Sequence, residues 1–164
     1  MKGVRDAFVL LIALVLQAAF LYRIEIGGIR PDLLVAFVVY FGWMRGPVAG
    51  ALGGFGVGLI QDLDASGPLG LNALCKTVVG FLVAKAGFRV HRSNVGVRFA
   101  FFSLAMLAHD LIYFSVTSLG DPILYLKQMV RVAVPSAFYT GVVVLALLLL
   151  VERFSRRSFL ADEV

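Results

Sequence analysis

The sequence predicts an all-α integral membrane protein with six transmembrane helices, and three observations carry that prediction. Mean hydropathy is +0.94, and 60% of the 164 residues are hydrophobic. Charged residues make up 15%, where a soluble domain carries roughly 25%. The apolar residues fall into six runs, and the basic residues gather on one side when those runs are threaded through a bilayer. A soluble fold of this size could not hide so much apolar surface, so lipid is the expected surrounding. The whole chain, 1–164, reads as a single polytopic membrane domain.

The first run, 7–22, follows Lys2 and Arg5 and starts like a signal peptide. The residues after it, Arg23-Ile24-Glu25, hold no small-x-small cleavage site, so it reads as an uncleaved first span. Runs 33–44 and 47–61 are short, against about 17–25 residues for a spanning helix. Two short spans and one re-entrant hairpin both fit, and Arg45-Gly46-Pro47, a turn with a charge at its tip, favours two spans. Runs 69–88, 97–119 and 133–152 complete the six. Between the last two, Asp121 can cap a helix with Pro122 at its first position. Lys127, Gln128 and Arg131 then share a face, which describes a short helix on the outer membrane surface. An N-terminal extension of the sixth span fits equally well.

Charge orients the bundle. With the N-terminus inside, ten basic residues (Lys2, Arg5, Arg45, Lys85, Arg89, Arg92, Arg98, Arg153, Arg156 and Arg157) fall on the cytoplasmic side. Four fall outside: Arg23, Arg30, Lys127 and Arg131. The positive-inside rule therefore puts both termini in the cytoplasm of a multi-pass inner-membrane protein.

Gly50, Gly54 and Gly58 recur every fourth residue and form a bare stripe on the third span. In lipid such a stripe lets another backbone approach closely, from the same chain, a second copy or a partner. The stripe ends at Asp62 and Asp64, which mark the polar rim. Two carboxylates without a third acidic neighbour make a weak metal site, so a helix end and turn is the favoured reading. Gly50, Gly54, Gly58, Asp62 and Asp64 are thus the candidate partner-binding residues. Lys76 and Asp110 are the ionisable residues that stand out inside spans, and such groups need partners. At about 1.5 Å per residue both lie roughly 10–13 Å below the outer boundary, so an intramembrane Lys76–Asp110 pair is geometrically possible, as a register lock or a functional site, with no contact between the two as the third reading. His109 adjoins Asp110 but points about 100° around the helix, and it reads as a packing or hydrogen-bonding residue rather than a proton relay.

Other chemistry is not indicated. The lone Cys75 excludes an intrachain disulfide and a cysteine zinc site. The glycine run lacks the Lys-Ser/Thr of a phosphate loop. No nucleophile sits beside a base, so no catalytic residue, cofactor or metal is expected. The basic loop with Arg89, Arg92 and Arg98 suits anionic lipid headgroups, at about 1 kcal/mol per charge, and has no folded support for nucleic acid.

Arg30-Pro31-Asp32-Leu33-Leu34 resembles the R/K-P-D-L opening of the second span in the rod shape-determining protein MreD family. Gly54-Phe55-x-x-Gly58-Leu59-x-x-Asp62, then Gly67-Pro68-Leu69-Gly70-Leu71-Asn72-Ala73-Leu74, looks like that family's central signature. Arg45-Gly46-Pro47 fits its short turn. Lys76 departs from the mostly uncharged fourth span of the family. The resemblance implies a non-enzymatic inner-membrane scaffold of the bacterial cell-elongation machinery that helps organise peptidoglycan synthesis. Its implied partners are MreC directly, through its membrane helix and periplasmic base, and the MreB filament, RodA and RodA's transpeptidase partner indirectly. The implied plan is similar to the S components of energy-coupling-factor transporters. That likeness supplies the competing reading, a vitamin-binding membrane transport subunit.

Overall fold

The computed structural model describes residues 15, 29, 31–65, 67–87 and 94–161. The first expected span apart from residue 15, and Arg89 and Arg92 of the basic loop, lie outside them. The elements are α1 (Leu33–Arg45), α2 (Pro47–Asp64), α3 (Leu71–Gly87), α4 (Val95–Thr117), α5 (Pro122–Gln128), a π-helical turn (Met129–Ala133) and α6 (Val134–Ala161). No strand occurs among the described residues.

Local chemistry sets each boundary. Asp32 caps α1, accepting from the backbone N–H of Leu34 at 2.8 Å and of Val35 at 3.0 Å. Gly46, at φ +96°, ends α1, and Pro47 opens α2 where a missing N–H costs nothing. This is the turn that Arg45-Gly46-Pro47 predicted. Gly70, at φ +87°, brings the chain into α3. Asn94 caps α4, and Asp121 caps α5 through the Leu124 N–H at 2.9 Å.

Helices α5 and α6 form one continuous rod interrupted by the π turn. Pro135 accounts for the interruption. It has no N–H, and its ring would collide with the carbonyl four residues back in an α-helix. The chain widens one turn earlier, with the Val134 N–H reaching Met129 O.

α1 is the hub of the described helices, packed by α2, α3, α4 and α6. Its residues Leu33 to Val39 are all buried, as expected of a helix that is apolar on every side. Val35, Val39 and Trp43 join Val79, Phe102, Met106, Ala137 and Val144 in the main core. The Trp43 ring lies 4.7 Å from that of Phe101, and its N–H donates to Gly87 O at 2.8 Å. Leu34, Phe37 and Val38 meet Val57 of α2 in a second cluster. Two stretches, Val95–Thr117 and Pro122–Leu150, are long and apolar enough to cross a membrane.

Candidate functional site

The glycine stripe of α2 faces α3. A Cβ on Gly54 would stand 2.6 Å from the carbonyl carbon of Lys76, and one on Gly58 would stand 2.5 Å from Asn72 O. One on Gly50 would stand 2.5 Å from Gly80 O and 2.9 Å from the Gly42 Cα. Real Cβ atoms do not come so close to backbone, so α2 and α3 can pack at this distance only because side chains are missing. Gly42 of α1 and Gly80 of α3 extend the seam. Their part was missed because Gly42, though it keeps the fourfold spacing, lies on a different helix across the Gly46-Pro47 turn, and Gly80 belongs to no such repeat. Of the occupants left open by the sequence, the structure seats α3. The stripe therefore packs within the chain, the more frequent of those arrangements, and its bare surface is covered by α3.

Asp62 is likewise turned inward. It is 2% exposed and receives four hydrogen bonds at the start of α3. Gly70 N and Ala73 N donate to Oδ2, both at 3.0 Å, while Asn72 N and Asn72 Nδ2 donate to Oδ1 at 3.1 and 3.0 Å. The first N–H groups of a helix have no partner within it, and here a carboxylate from the preceding helix supplies one. Asp62, expected at a partner-binding rim, is thus placed as the cap of α3. Asp64 closes α2, and its side chain is not among those described.

The buried ionisable residues form a chain across three helices. Lys76 of α3 is 0% exposed and donates to Asp32 Oδ2 at 2.9 Å. Its ammonium also lies 3.3 Å from His109 Nε2 on α4. An ammonium only donates, so Nε2 accepts and the ring proton sits on Nδ1. Nδ1 then donates to Asp110 Oδ1 at 3.1 Å. Thr140 of α6 joins from the far side, its Oγ1 accepting from Asp32 N at 3.2 Å. Asp110 Oδ2 is buried and has no hydrogen-bond partner among the described residues.

The direct Lys76–Asp110 pair is thus corrected. Lys76 takes Asp32, and His109 stands between Lys76 and Asp110. Depth along two consecutive spans placed the residues at similar levels but could not supply the third helix, whose capping carboxylate lies closer. His109 is the hydrogen-bonding kind of membrane histidine, held on both ring nitrogens. Its bond to its own neighbour shows that rotamers can close the 100° between adjacent helix positions. The cap at Asp32 was missed, although an aspartate just before an apolar run is its usual signal, and nothing in a linear sequence shows that its second oxygen faces an ammonium 44 residues away.

A family model described as rod shape-determining protein MreD matches residues 4–158. Among curated proteins and among solved structures, none matches the chain.

Proposed function

Since the chain belongs to the rod shape-determining protein MreD family, we propose that it is a non-enzymatic multi-pass scaffold of the bacterial inner membrane, with both termini cytoplasmic, that binds MreC and helps organise peptidoglycan synthesis. The family match over 4–158 carries this reading. Contact with MreB, RodA and RodA's transpeptidase partner follows indirectly through MreC. Two helices that suit a bilayer agree with a membrane setting.

The packing redirects the search for the partner surface. With the glycine seam filled by α3, the opposite face of α2 is the better seat for the MreC membrane helix. Val48, Leu52, Phe55, Leu59 and Leu63 lie exposed along it at helical spacing. Gly56 is on the same face, and a Cβ there would meet nothing within 4 Å. A small residue among large apolar ones allows close helix–helix contact in lipid.

Co-purification from native membranes tests this. Gly56→Leu is expected to leave the protein folded and reduce MreC recovery at least several-fold. Undiminished recovery with Gly56→Leu and with Leu52→Trp would remove this face from the interaction. A vitamin-sized ligand retained through purification would instead favour the S-component-like reading.

A further inference from the structure

Hydrogen-bond and charge accounting in the buried chain leave one proton to place. Asp32 is a carboxylate with every near partner a donor: two backbone N–H groups on Oδ1 and the Lys76 ammonium on Oδ2. Its charge and that of Lys76 cancel. His109 accepts from Lys76 on Nε2, so the ring is neutral with its proton on Nδ1. A second proton on the ring would point at the ammonium 3.3 Å away.

Asp110 remains. Ionised, it would leave the group with one unbalanced negative charge, borne partly by a buried oxygen without a donor among the described residues. Neutral, it leaves only a hydroxyl without an acceptor. An unpaired charge in a low-dielectric interior costs far more than an unbonded neutral hydroxyl. Among the described residues, the neighbouring elements offer no second cation. Asp32 comes from α1, Lys76 and the Cys75 thiol from α3, His109 and Tyr113 from α4 itself, and Thr140 from α6.

We propose that Asp32, Lys76, His109 and Asp110 form a proton-binding site inside the helix bundle, with one exchangeable proton on Asp110 Oδ2. The His109 Nδ1–H holds the other oxygen and orients the acid. Loss of the proton leaves Asp32 and Asp110 competing for a single ammonium, which draws Lys76 away from Asp32. Protonation is thereby coupled to the tie between α1 and α3, and ionisable residues inside membrane segments commonly serve such relays. This site is independent of the MreC reading, and its test uses the protein alone.

Infrared spectroscopy of the full chain in lipid bilayers, with ¹³C-carboxyl aspartate, reads the proton directly. The expected result is a protonated-aspartate C=O stretch at neutral pH. Asp110→Asn abolishes it, and Asp121→Asn, an exposed control, leaves it. Raising the pH should remove the band, and Asp110→Glu should move it out of the labelled aspartate signal. Absence of the band in the unaltered protein at neutral pH overturns the proposal, whether or not any variant folds. Persistence of the same band in Asp110→Asn or in Asp110→Glu overturns it as well.

Discussion

At Lys76 an ammonium with no exposure depends wholly on two neighbours, Asp32 and His109. Removing one partner of a buried pair leaves the other charged and unmatched, at about 3–5 kcal/mol. Asp32→Leu and Lys76→Met are each expected to destabilise by that order, measured by denaturant unfolding in micelles. The double variant should cost clearly less than the sum, because it removes both charges together. Strict additivity would show that the pair does not interact. Asp62 makes a second residue-scale case. Asp62→Ala strips three backbone N–H groups and one side-chain amide of their acceptor. With each orphaned donor costing about 1–3 kcal/mol when buried, the start of α3 should fray, seen as faster amide exchange over 70–73. Unchanged exchange there would show that Asp62 is not the cap.

The glycines make their prediction at the scale of the element, because what matters is the distance between two helices. Gly54 and Gly56 are two residues apart on α2 and face opposite surroundings, one against the Lys76 backbone and the other in open space. Gly54→Ala must push α2 off α3 and is expected to lower stability by about 1–3 kcal/mol, the usual range for overpacking. Gly56→Ala should be neutral or slightly stabilising, since alanine is the better helix former by about 1 kcal/mol. Thermal unfolding of the two variants side by side checks the contrast, and equal losses would contradict the assigned faces. The fourfold spacing was legible as a small-residue surface. Its occupant was not, since spacing describes one helix and a seam needs two. Gly80 is the matching half on α3, and it reads as an ordinary glycine until the helices are set together.

For the whole molecule the prediction concerns its direction in the bilayer. Charge counting favours cytoplasmic termini, which would put Val95, at the start of α4, inside and Leu119, just beyond its end, outside. Both are exposed, and the native Cys75 is 0% exposed, so an added cysteine supplies the reactive thiol. Leu119→Cys should react with an impermeant maleimide in intact spheroplasts, and Val95→Cys only after permeabilisation. The reverse pattern would invert the topology. The sequence by itself determined the helical class, the membrane setting, most helix boundaries and the family, because hydropathy, turn glycines, prolines and capping residues act within a few neighbours along the chain. The tertiary structure alone decided which surfaces those features meet. It placed α3 against the glycine stripe, turned Asp62 into a cap and put His109 between Lys76 and Asp110. The physical reason is that a buried charge or a bare backbone takes the nearest complement in space, and for Lys76 that complement is carried by a helix 44 residues away.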